Sequence, residues 1–120
     1  MKYILLIYNN PATYEAWDEE QRNELFSEVD TIMKELSESG ELVGGEGLAD
    51  PSRTKTVRVR DGVTAVTDGP FAEAKEQLGG WLLVDCESEE RAVEIAARWP
   101  DARHFAMEVR EVKHAAGAEM

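Results

Sequence analysis

Residues 55–68 read KTVRVRDGVTAVTD and predict a β-hairpin. Side chains alternate in character on both sides of Asp61-Gly62, a dipeptide that strongly favours a two-residue hairpin turn. A turn of two residues fixes the pairing register, so Lys55 is predicted to face Asp68 across the two strands. The hairpin therefore ends in an opposite-charge pair, which makes Asp68 a structural hinge more than a candidate catalyst.

The same register predicts two different faces for this hairpin. Val57, Val59 and Val66 form an apolar face. On the other face, Arg58 lies across from Ala65, whose small side chain leaves room for the guanidinium to reach elsewhere. The hairpin therefore offers an apolar surface on one side and a positioned cation on the other.

The chain before the hairpin predicts a strand, a helix and a second strand. Residues 2–8 are apolar on both faces, as in a strand that is buried on both sides. A polar loop is predicted over 9–17. A stripe of apolar side chains at helical spacing predicts a helix from about Asp18 to Ser39. Residues 41–48 form a short strand interrupted by glycines.

The chain after the hairpin repeats this alternation. Residues 81–86 predict a strand, residues 89–99 a helix and residues 105–112 a final strand. The whole order predicts an α+β, ferredoxin-like fold with an inserted β-hairpin. Helices cover one face of such a sheet, and the apolar second face predicts a homodimer formed sheet to sheet.

The length of 120 residues predicts a single domain over residues 1–112 with a flexible tail over 113–120. The net charge of -12 argues against nucleic acid and anionic membranes as partners, because both require a basic surface. The apolar run at the start is too short for a membrane span and lacks a cleavage site. A cytoplasmic location is therefore expected.

Cysteine and histidine, the residues of most transition-metal sites, are few in this chain. Cys86 has no second cysteine to pair with, and His104 and His114 lack the spacing of a metal site. The glycines at 44–47 lack the lysine and hydroxyl residue of a phosphate-binding loop. The sequence therefore predicts neither a metal nor a cofactor.

The densest group of candidate catalytic residues follows the hairpin, in residues 68–81, which read DGPFAEAKEQLGGW. Phe71 is expected to anchor this segment by burial. Glu73 and Glu76 share a face if the segment forms a helical turn, and with Asp68 they are the candidates for proton transfer. The alternative is a solvated turn with no chemistry.

A site for a small organic anion is the second hypothesis from these residues. Arg58 and Lys75 are the candidate anion-binding cations, with Arg58 as the bidentate partner. Glu46 approaches from the glycine-rich strand as a third ligand-binding candidate. The alternative is that these side chains make surface ion pairs with neighbouring acids.

The segment from Asp68 to Glu76 resembles the DGPF signature of the YCII-related domain proteins. Further similar stretches are Lys2–Tyr8, Gly44–Leu48, Thr56–Arg58 and Gln77–Gly80, so the resemblance covers the chain to about Val112. Ala74 departs from the pattern, since threonine is more usual there. The resemblance implies a dimeric α/β barrel, bacterial origin and, for most members, an unknown function.

The resemblance leaves two functions open. Some more distant relatives act as small lyases or dehydrochlorinases, and some carry a His–Asp pair with the histidine early in the first helix. Residues 21–23 are Gln, Arg and Asn here, so that pair is not carried over. The first hypothesis is therefore lyase- or isomerase-type acid–base chemistry on an anionic ligand. The second is a non-catalytic ligand-sensing or protein-interaction module linked to sigma factors, with the acidic first helix as partner surface.

Overall fold

The structure, a computed structural model, describes residues 1–72 and 74–117 and alternates strands with helices. The elements in chain order are β1 (Lys2–Asn9), α1 (Pro11–Glu15), α2 (Glu19–Ser39), β2 (Leu42–Gly47), a 3₁₀ turn (Pro51–Arg53), β3 (Lys55–Arg60), β4 (Val63–Asp68), β5 (Gln77–Asp85), α3 (Glu89–Arg98), α4 (Pro100–His104) and β6 (Ala106–Glu111). None of the described helices is both long and apolar enough to cross a membrane.

Four of the strands form an antiparallel sheet in the order β2-β5-β1-β6. The central strand β1 pairs with both β5 and β6, so Leu5 lies opposite Leu82 on one side and Val109 on the other. This strand order is the ferredoxin-like arrangement, and it confirms the α+β class that the sequence predicts.

The core lies between one face of this sheet and the two longer helices. Alternate residues of β1 are buried on that face, and they pack with residues of α2 and α3. The largest fully buried side chains are those of Tyr3, Leu5, Ile32, Leu36, Val84, Ile95 and Pro100. The residues of β1 on the opposite face are only half-buried, so the two sides of the sheet differ in their environment.

Helix α2 begins and ends where the sequence predicts. The side chain of Asp18 accepts from the backbone N–H of Gln21, whose own side chain accepts from the Asp18 N–H, a reciprocal capping box. Gly40 ends the helix at φ 80°, in the left-handed region that favours glycine.

Strands β3 and β4 form a separate two-stranded sheet with the predicted register. Lys55 lies opposite Asp68 and forms an ion pair with it. The turn residues Asp61 and Gly62 both have positive φ, as a two-residue hairpin turn of this kind requires.

Three sequence predictions near the loops are wrong. Phe71 is 74% exposed instead of buried. The segment at 9–17 contains the short helix α1, because Asn10 caps its first turn and Pro11 fits the first helical position. Strand β5 begins at Gln77 instead of residue 81, because the glycines at 79 and 80 are accommodated within the sheet.

A partly buried ion pair joins the start of β2 to helix α3. Arg91 donates from Nε and Nη2 to the two carboxylate oxygens of Glu41, each at 2.9 Å. This hydrogen-bonded pairing lowers the pKa of Glu41 to about 2. Because the folded-state pKa lies below the unfolded value, the pair stabilises the fold above the ordinary carboxyl pKa and loses its effect at lower pH.

We predict that Glu41→Gln lowers the free energy of unfolding at pH 7 by on the order of 2 kcal/mol. The deficit should shrink as the pH falls from about 4.5 to about 2, since the wild-type carboxylate then becomes protonated. Urea unfolding at several pH values measures it. Glu38→Gln removes the same charge from an exposed position of α2 and should leave stability almost unchanged. An equal deficit in both variants, or one independent of pH, would contradict the prediction.

Candidate functional site

A cavity of about 500 Å³ opens between the helix-facing side of the sheet and helix α2. Apolar side chains of α2 form much of its wall. These are Leu25, Phe26, Val29 and Met33. Trp17 and Trp99 contribute aromatic surface, and glycines of β2 and β5 contribute backbone. The cavity is therefore mostly apolar and large enough for a small organic molecule.

The carboxylate of Asp101 lies in the wall of this cavity. Asp101 is only 5% exposed. Among residues 1–72 and 74–117 it is the one charged or polar residue that is buried. Its Oδ2 accepts a hydrogen bond from the Tyr14 hydroxyl at 2.8 Å and another from Nδ2 of Asn9 at 3.1 Å. Neither donor engages Oδ1. The two contacts thus fix the orientation of the carboxylate and leave its second oxygen for another partner.

Three short elements bring these side chains together. Asn9 is the last residue of β1, and Tyr14 lies on α1, which begins two residues later. Asp101 lies in the first turn of α4, directly after Pro100. The ring of Tyr14 packs edge-on against Trp17 at 4.9 Å and Phe105 at 5.4 Å between ring centroids. Aromatic packing therefore fixes the position from which the hydroxyl donates.

The environment of Tyr14 keeps its hydroxyl protonated. Burial raises the pKa of Tyr14, and the hydrogen bond to Asp101 and the negative charge of that group raise it further. The hydroxyl therefore remains a hydrogen-bond donor throughout the neutral and mildly alkaline range.

Two glycines of β5 make room for this arrangement. A Cβ atom at Gly79 would lie 2.6 Å from Nδ2 of Asn9, and one at Gly80 would lie 2.7 Å from the backbone oxygen of Glu46. Neither glycine has a positive φ. They are required for close approach, and Gly79 lies at a bulge in the pairing with β1, between Ile7 and Tyr8.

The structure places the predicted anion-binding and acidic residues mostly on the hairpin and its loop. Asp68 pairs with Lys55, and the Arg58 guanidinium carbon lies 4.6 Å from the centroid of the Phe71 ring. Lys75 and Glu76 are exposed in the loop before β5. Glu73 lies outside the described residues.

Of the described members of that predicted set, Glu46 alone belongs to the wall of the cavity that contains Asp101. It is exposed, and it lies opposite Trp81 in the register of β2 and β5. Strand alternation directs its side chain to the sheet face opposite that of Leu82, so it contributes mainly backbone to the cavity. Arg58 lines a separate crevice with Pro70 and Phe71.

Asp101, Tyr14 and Asn9 are absent from the residues that the sequence singles out. They lie up to 92 positions apart in sequence, and none belongs to a recognisable spacing motif. The glycine pair at 79–80 was a visible signal, because adjacent glycines inside a strand indicate that something approaches the backbone closely. It gave no indication of what approaches.

The YCII-related domain model matches residues 1–116. The chain belongs to this family. It is also 35% identical, over 96 residues, to an uncharacterised protein of Rhizobium meliloti, with 80% of this chain and 77% of that protein covered.

A solved structure shares the fold of this YCII-related protein. It is 5-chloro-2-hydroxyhydroquinone dehydrochlorinase of Burkholderia phenoliruptrix, in complex with 2,5-dihydroxybenzoquinone. The TM-score is 0.57 with 14% sequence identity, and 96% of each chain is covered. At this identity the likeness shows the fold.

We predict that Gly79→Ala displaces the Asn9 side chain and weakens its bond to Asp101. The added methyl group would overlap the Asn9 amide, so the variant should lose on the order of 1–3 kcal/mol of stability. Gly44→Ala is the matched control, because no atom lies within 4 Å of its Cβ position in the same sheet. Urea unfolding and the NMR shift of the Asn9 side-chain amide measure the effect. Equal stability of the two variants, with an unmoved Asn9 signal, would contradict it.

Proposed function

We propose that this YCII-related protein catalyses proton transfer on a small cyclic molecule, in a lyase- or isomerase-type reaction. The observation that carries the proposal is the Asp101 carboxylate, buried at the wall of a mostly apolar cavity and oriented by two donors. A buried carboxylate that is held by two donors at one oxygen, beside a mostly apolar cavity, is suited to act as a general base.

The proposed chemistry needs only one proton acceptor. Asp101 removes a proton from a carbon atom or hydroxyl of the ligand, and the bonding electron pair stays on the ligand as an enolate or phenolate. In an isomerisation, Asp101 returns the proton to another atom of the ligand. In an elimination, the electron pair expels a leaving group as an anion, and the proton passes from Asp101 to water. Neither route needs an oxidant or a reductant.

The walls of the cavity favour a compact ring as ligand. Aromatic and aliphatic side chains such as Trp17, Phe26 and Trp99 offer flat, apolar contact surface. The fold neighbour is a dehydrochlorinase bound to a dihydroxybenzoquinone, and this gives independent support for a hydroxylated ring.

The loop residues form a rival version of this proposal. In it, Arg58 and Lys75 hold a small organic anion, and Asp68, Glu73, Glu76 or Glu46 moves the proton. Its support is the crevice beside Phe71, over whose ring the Arg58 guanidinium lies. The Asp101 cavity is favoured because a buried carboxylate is better placed for proton transfer than exposed acids.

No observation on the described residues favours the second hypothesis, a module linked to sigma factors. Two acids of the acidic helix α2, Glu28 and Glu35, form ion pairs with Arg103 and Arg98.

We further propose that the functional unit is a homodimer, as in a dimeric α/β barrel of the DGPF branch, with the hairpin as an insertion in the ferredoxin-like core. The support is the apolar hairpin face. Val57, Val59 and Val66 are 56–60% exposed. An isolated two-stranded hairpin is marginally stable in water, so such a face favours a covered position.

The proposed reaction predicts that Asp101→Asn loses activity and keeps its fold. The amide retains an oxygen that accepts from Tyr14, but it cannot take a proton, so the rate should fall at least about 100-fold. Chloride release from 5-chloro-2-hydroxyhydroquinone and solvent-deuterium incorporation into 2,5-dihydroxybenzoquinone are suitable assays. Tyr14→Phe should cost less, about tenfold, since it removes one orienting contact. The rival version predicts the opposite ranking, with Arg58→Ala inactive and Asp101→Asn active.

The dimer predicts that charges on the hairpin face prevent association. Val57→Lys combined with Val66→Lys should shift the mass in light scattering from two chains to one, because buried unpaired lysines oppose association. Val63 lies on the other hairpin face, so Val63→Lys is the control and should leave the mass at two chains. A wild-type protein that is monomeric at high micromolar concentration would refute the dimer.

A further inference from the structure

Arg22 makes hydrogen bonds to the backbone before α2, and it also lines the cavity, where those hydrogen bonds use only part of its guanidinium group. It lies near the start of α2, is half-buried and lines the same cavity as Asp101. Its Nη1 donates to the backbone oxygen of Trp17 at 2.8 Å and, more weakly, to those of Tyr14 and Glu15, each at 3.4 Å. Through these bonds Arg22 holds the segment that carries Tyr14 against α2.

Only one nitrogen of the guanidinium takes part in these contacts. In the chain as described, residues 1–72 and 74–117, Nε and Nη2 of Arg22 make no hydrogen bond. No side-chain nitrogen or oxygen there is both fully buried and without a partner, so these donors remain accessible. The Nε–Nη2 edge of a guanidinium presents two parallel N–H groups, the geometry that binds a carboxylate in bidentate fashion.

The charged residues that line the cavity indicate what the Nε–Nη2 edge of Arg22 can bind. Among the described residues that line the cavity, Arg22 is the one basic residue, whereas Asp30, Glu46 and Asp101 are acidic. The protein as a whole carries a net charge of -12. Of the charged side chains described in this wall, Arg22 is therefore the one that attracts an anion.

We infer that Arg22 binds an anionic oxygen of the ligand, so that the ligand class is a compact ring that bears a carboxylate, phenolate or enolate. The inference rests on the proposed function and adds the charge of the ligand to it. The ring packs on the apolar wall, and its anionic oxygen meets the Nε–Nη2 edge. If proton removal by Asp101 creates further negative charge on the ligand, the same guanidinium stabilises that charge.

The opposing explanation is that Arg22 is only a brace for the α1–α2 connection. A brace and a ligand-binding cation differ in one measurable respect. Loss of a brace weakens binding of charged and neutral ligands alike, because the cavity loses its shape. Loss of the cation removes the preference for the anion and leaves the affinity for a neutral molecule of the same shape unchanged.

Benzoate and benzamide are suitable probes, because they have nearly the same shape and only benzoate is charged at pH 7. Wild-type protein should bind benzoate at least tenfold more tightly, as measured by NMR titration. Arg22→Gln should reduce this ratio to about one, because glutamine keeps a polar, hydrogen-bonding side chain but carries no charge. Arg22→Lys should retain part of the ratio, since an ammonium is a cation without the bidentate edge.

A wild-type ratio near one, no binding of either probe, or an unchanged ratio in Arg22→Gln would overturn the inference. Near-UV circular dichroism reports whether Arg22→Gln keeps its tertiary structure; if it unfolds, an undiminished ratio in Arg22→Lys would overturn the inference instead. Asp101→Asn separates this inference from the proposed function. It should keep the benzoate preference while losing turnover. Turnover that survives in Asp101→Asn contradicts the proposed function alone, whereas a benzoate preference that survives in Arg22→Gln contradicts the Arg22 inference alone.

Discussion

The hydrogen bonds to Asp101 connect three segments that are far apart in the chain. Asn9 ends the central strand, Tyr14 lies on the short helix that follows, and Asp101 begins the short helix after α3. A carboxylate that is almost fully buried requires such partners, since an unpaired one would be costly to desolvate. The cavity wall depends on the same contacts, because Trp17 and Trp99 are carried by the segments that Asp101 joins.

The rest of the structure supports these contacts from two sides. On the sheet side, Gly79 leaves space for the Asn9 amide, and the β-bulge beside it brings that side chain close to the backbone of β5. On the helix side, Arg22 holds the backbone around Trp17. Ion pairs between Glu28 and Arg103 and between Glu35 and Arg98 tie α2 to the helices that lead to and contain Asp101. The site is thus carried by packed elements and not by a free loop.

Membership of the YCII-related family and the ferredoxin-like order of the strands leave the chemistry undetermined, since one fold serves many reactions. The residues around the cavity say more about the reaction than the fold does. A buried carboxylate, a donor held protonated and the one basic residue among the described residues that line a mostly apolar cavity are the basis of the proposed proton transfer on a small anionic ring. The hairpin lies apart from this group, with its Arg58 in a separate crevice.

Local sequence patterns are sufficient to predict those parts of the protein whose conformation depends on neighbouring residues. Asp18 and Gly40 mark the ends of α2 because capping is local, and Asp61-Gly62 sets the register of β3 and β4 because a two-residue turn permits one pairing. The apolar runs predict the order of strands and helices because the spacing of apolar residues is also a local pattern. The placement of Asp101 was decided by the tertiary structure alone. Its burial and its two donors arise from contacts across 87 and 92 positions, and no local pattern encodes contacts of that range.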